Sequence, residues 1–218
     1  MSDNAREYDV VLCGQNTALS SDAVLGGIEG VKLRLSSQVI EHRISALSEA
    51  LNYGEEGLAI LLQALKDSED KVHIAVYNLL KDREDPDVKI ALNKYLKQYY
   101  FIRFDGLYYS HTKSMNWYLL RFYEDGTVLV ANLLTPDIDV LERAARWFHT
   151  HDNRVTHRGT YKVEGNSLNF STTGRHNIIN FWGKIEMHGY TISLTFNSVT
   201  TRYKKKLEFN FVNISTLQ

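Results

Sequence analysis

The sequence has few of the residues that would indicate a disulfide scaffold, a long linker or a membrane span. Cys13 is the only cysteine among 218 residues, so neither an intrachain disulfide nor a cysteine-based zinc site can form. Two prolines and 13 glycines leave little room for a long disordered linker. No run approaches the ~18 apolar residues of a membrane-spanning helix. The acidic first seven residues are unlike a signal peptide, and the expected location is cytoplasmic.

The net charge of −1 hides an uneven distribution of charge along the chain. Residues 1–98 carry 11 Lys and Arg against 16 Asp and Glu, whereas residues 99–218 carry 14 against 10. Neither half is basic enough to indicate a nucleic-acid-binding protein, so no nucleic-acid partner is expected. The short basic run Lys204–Lys206 could touch an anionic surface, although a solvated strand is its ordinary explanation.

From residue 24 to about residue 97 the apolar residues recur with a helical period. The pair Ala46-Leu47 has a counterpart about 29 residues later at Ala75-Val76, and a second amphipathic segment follows each. Helix pairs that recur in this way are typical of α-solenoids. The sequence therefore predicts an α-helical repeat domain over residues 1–98. Spacings of three and four are seen at Ile40, Ile44, Leu47, Leu51, Leu58, Leu61, Leu62 and Leu65.

At Tyr99 the apolar period changes from helical to alternating. Short alternating segments are separated by turns that contain glycine, such as Gly126 and Gly165. Hairpin-linked strands with one apolar face predict an up-and-down antiparallel barrel over residues 99–218, because closure leaves no open sheet edge. One helix interrupts the strands, with Leu141 and Phe148 on its apolar face. We expect this helix to plug a barrel end, with covering of a mouth as the alternative.

The N-terminal half resembles a helical module of cyanobacterial proteins that stands ahead of varied C-terminal domains. The likeness lies in residues 8–15, 23–32 and 46–55, and it includes the unusual pattern Leu-Gly-Gly-Ile-Glu-Gly at residues 25–30. It spans residues 8–95 and implies a HEAT-like fold, a cyanobacterial source and a role in contacting another protein. It implies no catalytic residue. Phycobilin lyase subunits are also HEAT-like, which adds bilin handling as an alternative.

The C-terminal half resembles the β-rich domain that ends certain F-box proteins. The likeness lies in residues 103–110 and 118–128, and Gly159-Thr-Tyr161 is similar to strand openings in small lipocalin-like barrels. The resemblance implies a lipocalin-like barrel. It carries over no ubiquitin-ligase context, because no F-box lies in these residues. The predicted fold is thus α+β, with HEAT-like repeats in residues 1–98 and an antiparallel lipocalin-like barrel with one inserted helix in residues 99–218.

The sequence gives only weak candidates for catalytic residues. His149 and His151, followed by Asp152, form an H-x-H pattern that could supply two metal ligands, although a polar loop after a helix is its ordinary explanation. The sequence contains no H-E-x-x-H, EF-hand or G-x-S-x-G motif. We therefore predict no enzymatic activity and no cofactor. A metal-dependent hydrolase at the two histidines is the weakest hypothesis.

Strand alternation sends bulky apolar side chains to one face of the predicted barrel. A small barrel so lined is usually filled by its own side chains, and any remaining space would suit an apolar or aromatic ligand such as a tetrapyrrole. The opposite face offers Arg121, Tyr123 and Trp182 as candidates for binding a partner. The main lumen candidates are Tyr118, Phe122, Tyr161, Phe170 and Phe196.

These observations favour a non-enzymatic protein–protein interaction, scaffold or assembly protein. The helical repeats would bind a protein partner, such as a phycobiliprotein or a photosynthetic assembly. The alternative is a bilin-binding protein, or a lyase or chaperone that acts on phycobiliproteins, with bilin as its cofactor.

Overall fold

The computed structural model describes residues 26–112, 115–135, 139–146, 148, 155 and 157–214. The chain forms two compact units, Met1–Leu80 and Lys81–Gln218. The predicted boundary between residues 98 and 99 stays a prediction. The helices are α1 (Gly27–Leu35), α2 (Ile40–Ala50), α3 (Gly54–Ala64), α4 (Asp70–Leu80), α5 (Pro86–Tyr99) and α6 (Val140–Ala145). The strands are β1 (Gly106–His111), β2 (Asn116–Phe122), β3 (Thr127–Leu134), β4 (His157–Glu164), β5 (Ser167–Thr173), β6 (Ile178–Ile185), β7 (Thr191–Ser198) and β8 (Lys204–Asn213).

The first unit is built from α1 to α4, with α2 in contact with the other three helices. Its buried residues include the small pair Ala46 and Ala50, which lets neighbouring helices approach closely. Arg43 Nη1 lies 2.8 Å from Asp67 Oδ1, and this ion pair is mostly buried. The predicted helical N-terminal region is confirmed. The five helices that precede the barrel among residues 26–112 do not by themselves establish a HEAT-like repeat, which stays a prediction. None of the described helices is both long and apolar enough to cross a membrane.

The second unit contains a closed barrel of eight antiparallel strands in chain order, with β8 pairing back onto β1. Tyr108 in β1 thus has Leu120 as its partner on one side and Phe211 on the other. Gly126 and Gly165 sit at hairpin turns with positive φ angles of 88° and 62°, a conformation that favours glycine. The predicted antiparallel barrel is confirmed, and its form is compatible with a lipocalin-like barrel.

The interior of the barrel is packed with aromatic and aliphatic side chains around Phe122. Its ring makes edge-to-face contacts with Tyr108, Tyr161 and Phe170, at centroid distances of 5.1–5.6 Å. Such pairs add to the free energy of simple area burial. The buried members of this interior cluster are Ile102, Tyr108, Leu120, Phe122, Val128, Val130, Leu168, Phe170, Phe181, Ile185, Ile192, Leu194, Phe196, Leu207 and Phe209.

Helix α6 packs on the outside of the barrel and not in one of its ends. Ala144 and Ala145 join a second buried cluster with Leu119 and Leu129, which alternate with the interior residues of β2 and β3. The prediction that this helix plugs the barrel is therefore wrong. The outer side of β1–β3 carries leucines of its own, and the helix keeps them out of water.

One end of the barrel is closed by the segment that follows α5. The hydroxyl of Tyr108 donates to the carbonyl of Gly189 at 2.7 Å and accepts the backbone N–H of Arg103 at 2.9 Å. The Arg103 guanidinium lies 3.8 Å from the ring centroid of Tyr190, and its Nε donates to the carbonyl of His188. Burial raises the pKa of Tyr108, so this phenol stays protonated.

Candidate functional site

The other end of the barrel is open and forms a cavity of about 250 Å³, which we call the barrel cup. It lies where β2 begins and β3 ends, and where β6 and β8 begin and β7 ends. The register places Tyr118 opposite Asn132 and Ile179 opposite Ser198 at this end. Its lining residues are Tyr118, Val130, Asn132, His157, Asn177, Ile179, Phe181, Phe196, Ser198, Thr201 and Tyr203.

The floor of the barrel cup is apolar. Phe181 stacks on Phe170 with ring centroids 4.5 Å apart and ring planes 13° apart, and Phe196 lies 5.8 Å from Phe181. Val130 and Ile179 complete the floor. These side chains reach the cup because they occupy the inward positions of their strands.

One side of the rim is held by a small hydrogen-bond network. The hydroxyl of Ser198 accepts from Asn177 Nδ2 at 3.1 Å and from the Thr201 hydroxyl at 2.7 Å. The backbone N–H of Thr201 also donates to this hydroxyl, at 3.2 Å. The network joins the β7–β8 turn to the residue that precedes β6. The network fixes the shape of the rim, and its polar groups make these hydrogen bonds with one another.

The rest of the rim is aromatic and carries a lysine. Lys205 occupies an inward position of β8, and its Nζ lies 5.6 Å from the ring centroid of Tyr118. Burial, reinforced by the nearby Tyr203, raises the pKa of Tyr118, so its phenol is neutral near pH 7. Burial lowers the pKa of His157, which keeps that imidazole neutral as well. The cup thus combines an apolar floor, neutral aromatic walls and one ammonium group at the edge.

The lowered pKa of His157 predicts a pH dependence of barrel stability. The unfolded chain, in which His157 has its ordinary pKa of about 6.5, binds the proton more tightly than the folded barrel does. Stability should therefore fall as the pH drops below about 6.5, until the folded histidine also protonates. We expect His157→Gln to flatten this part of a urea-unfolding profile measured from about pH 7.5 to pH 5.

The matched control for this effect is His176→Gln, which changes an exposed histidine near the same rim. Its profile should follow that of the unaltered protein. If His157→Gln leaves the acid slope unchanged, then burial of this imidazole is not the source of the pH dependence.

The predicted lumen residues lie in or against the interior cluster. Phe122, Phe170 and Phe196 are buried there, while Tyr118 and Tyr161 are partly buried and pack against it. Tyr118 and Phe196 also line the barrel cup. Val163, two residues after Tyr161 on β4, is 40% exposed beside the β4–β5 turn. Sequence reasoning missed Tyr108, whose alternation with Ser110 is a short signal in a six-residue strand.

The three predicted partner-binding residues do not lie together. Arg121 is 7% exposed, and its Nη1 donates to the carbonyl of Phe148 at 2.9 Å. The hydroxyl of Tyr123 donates to the same carbonyl at 2.8 Å. Both residues thus hold the segment after α6 against the outer wall. Trp182 lies on β6, on the outward side of the sheet, and is 38% exposed.

The predicted metal ligands His149 and His151 lie outside the described residues, as does Cys13. Within the described ranges, no group of three His, Cys, Asp or Glu side chains is arranged to hold a metal ion.

Comparison of the chain with protein-family models, with curated proteins and with solved structures gives no match. Functional inference therefore starts from the geometry of the barrel itself.

Proposed function

We propose that this is a non-enzymatic binding protein whose barrel cup takes a small apolar or aromatic molecule. The observation that carries the proposal is the open cavity at one barrel end, with an aromatic floor, neutral aromatic walls and one lysine at the rim. A concave, mostly apolar site with a few convergent polar groups is the usual form of a small-molecule site. The opposite end is closed by Tyr108, so the cup is a dead end and not a channel.

The size of the cup limits the ligand to one or two rings. An engineered apolar cavity of about 150 Å³ holds benzene, whereas drug-sized ligands occupy pockets of roughly 300–1,000 Å³. At about 250 Å³ the barrel cup lies between these values. A bilin, with four pyrrole rings, would require Phe181 or Phe196 to leave the interior cluster. The geometry thus favours a smaller ligand over the bilin alternative.

The chemistry of the rim favours binding over hydrolysis. The hydroxyl of Ser198 is hydrogen-bonded to Asn177 and Thr201, neither of which can act as a general base. The ammonium group of Lys205 suits a ligand that carries a negative or polar end beside its apolar body. The cup can therefore hold and orient a small amphipathic molecule.

We also propose that the helical unit contacts another protein, as its resemblance to a HEAT-like cyanobacterial module implies. The exposed apolar side chains of Leu33 and Val39, at 59% and 45% exposure, support a contact surface on this unit. A cytoplasmic protein such as a phycobiliprotein is the partner that the resemblance favours. Crosslinking in a native lysate that recovers no protein on residues 26–80 would count against this role.

Ligand binding at the cup can be tested with 2-naphthol, a fluorescent two-ring probe. We expect saturable binding of one probe per chain, accompanied by a rise in melting temperature, because the ligand binds only the folded barrel. Asn132→Trp places a large side chain at an inward rim position, and we expect it to weaken probe affinity at least about tenfold, or ~1.4 kcal/mol. Biliverdin added to the protein should show no change in its absorption spectrum.

The matched control is Asn210→Trp, the same substitution at an outward position of β8. It should leave probe affinity unchanged. Equal affinity in the Asn132→Trp protein, or failure of the unaltered protein to bind the probe, would refute the proposal.

A further inference from the structure

The outer wall of the barrel differs sharply between its two sides. On β1–β3 most outward side chains are apolar, and Leu107, Leu119 and Leu129 are buried with α6 in the outer cluster. On β5–β8 the outward positions carry asparagine, serine, threonine and lysine, and Trp182 lies among them. Lys184, Lys204 and Lys206 on this side are exposed to solvent. Trp182, at 38% exposure, is thus a partly exposed aromatic ring on a polar and basic sheet surface.

Strand register arranges lysines around Trp182. In one direction Trp182 pairs with Thr195, which pairs with Lys206 on β8. In the other direction Trp182 pairs with Asn169, which pairs with Lys162 on β4. With strands ~4.8 Å apart, each lysine backbone lies roughly 10 Å from that of the tryptophan, on opposite sides.

Two further lysines complete the arrangement. Lys184 is two residues along β6 on the same outward face, about 7 Å away at the rise of a strand. Lys204 Nζ lies 5.2 Å from the Trp182 ring centroid. Glu208 lies in the same ladder row as Lys184, through Ser193, and Glu164 lies in that row on the other side, through Ser167. The local set is thus four lysines and two glutamates, which is positive although the whole chain is not.

A shallow depression of about 440 Å³ lies beside the tryptophan ring. Thr160, Asn169 and Asn180 contribute amide and hydroxyl groups to it, and Lys162 closes one side. The Ser171 hydroxyl donates to Asn180 Oδ1 at 2.7 Å, which orients that amide. A flat heterocycle placed here would contact the indole face and find hydrogen-bonding groups at its edges.

We propose that this basic tryptophan wall, formed by Lys162, Trp182, Lys184, Lys204 and Lys206, binds single-stranded nucleic acid. One base stacks on Trp182, and the phosphates on either side pair with the surrounding lysines. Aromatic stacking platforms combined with lysine charge are the means by which single strands are bound without sequence readout. The proposal is independent of the barrel cup and reverses the expectation drawn from overall charge.

The composition of the wall favours a nucleic acid over a protein partner. The cores of protein interfaces are depleted in lysine and serine and enriched in aromatic residues, arginine and methionine. Here the tryptophan is surrounded by lysine, asparagine, serine and threonine. An acidic protein segment could pair with the lysines, but it would make no specific use of the exposed indole face.

The test uses the full chain and an oligouridine of about 12 nucleotides, within the ~4–16-nucleotide footprint of a small single-strand-binding barrel. We expect the oligonucleotide to quench the part of the tryptophan fluorescence that Trp182→Leu removes. We expect Trp182→Leu to weaken affinity about tenfold, the loss of one stacked base. The double variant Lys162→Gln and Lys206→Gln should lower the slope of log affinity against log salt by about 1.4.

The matched control is the double variant Lys94→Gln and Lys97→Gln, which makes the same charge change on α5. It should keep the affinity and the salt slope of the unaltered protein, as should Asn132→Trp at the cup. No binding of oligouridine at low salt overturns the proposal. The proposal is also overturned if heparin or polyglutamate binds as tightly as oligouridine does and Trp182→Leu leaves the affinity for oligouridine unchanged. Charge alone would then explain the binding.

Discussion

Replacing Phe122 with alanine is expected to lower the free energy of unfolding of the barrel by about 3–5 kcal/mol. Phe122 is 1% exposed, and its ring lies between Tyr108, Tyr161 and Phe170 in edge-to-face geometry. Truncation removes a large buried side chain and leaves a cavity that the neighbouring strands cannot fill, because each is held by a ladder on both sides. Urea unfolding followed by near-ultraviolet circular dichroism measures the loss.

The control for this prediction is Phe101→Ala, the same truncation at a side chain that is 38% exposed. Phe101 lies before β1, and its ring contacts the Arg103 guanidinium at 5.6 Å. We expect a smaller loss there, since part of this ring is already exposed to solvent and less buried area is removed than at Phe122. If Phe122→Ala costs no more than Phe101→Ala, the aromatic centre of the barrel does not hold the strands together.

The barrel was predictable because its sequence signals are local and consistent. Each turn is marked by glycine or by small polar residues, and inward positions from Leu168 to Phe209 alternate with polar ones in β5–β8. When the pattern is this regular, the alternation of apolar and polar residues predicts both that a segment is a strand and which of its faces points inward. A sheet of eight antiparallel strands can then close into a barrel, which leaves no strand edge unpaired.

The position of α6 was not predictable from the same signals. In β2 and β3, consecutive residues are buried from Leu119 to Phe122 and from Val128 to Ala131, so the period of two disappears. Such a run shows that both faces are covered, but it does not say by what. The apolar face of a helix can pack at a barrel end as well as on an outer wall. Only the packing of Leu119 and Leu129 in one buried cluster with Ala144 decides between these positions.

The two candidate sites were predictable to different degrees. The aromatic floor of the barrel cup follows from alternation, but the space above it depends on side-chain packing that no pattern encodes. The basic tryptophan wall depends on register, because its lysines come from β4, β6 and β8 and are up to 44 positions apart, from Lys162 to Lys206. A charge sum over residues 99–218 averages these lysines with acids elsewhere, which is why it pointed away from nucleic acid.

The closure of the barrel depends on close backbone approach at inward glycines, and Gly183 tests this. Gly183 lies between Phe181 and Ile185 on the interior face of β6, opposite Leu194 of β7. A Cβ atom added there would lie 1.9 Å from the backbone oxygen of Ser193 and 2.9 Å from the Leu194 Cα. Both are main-chain atoms, so no change of side-chain rotamer can relieve the overlap.

We expect Gly183→Ala to lower the free energy of unfolding by about 3 kcal/mol or more, because β6 must move away from β7. This loss is at or above the upper end of the range for overpacked cores. Since Trp182 is the adjacent residue, its fluorescence should shift in the folded variant as well. The control is Gly26→Ala, where an added Cβ meets nothing within 4 Å and φ is −70°. That change should cost no more than about 0.5 kcal/mol by urea unfolding. A Gly183→Ala protein as stable as the control would show that the two strands can separate at this point, and that the barrel closes without a glycine at this position.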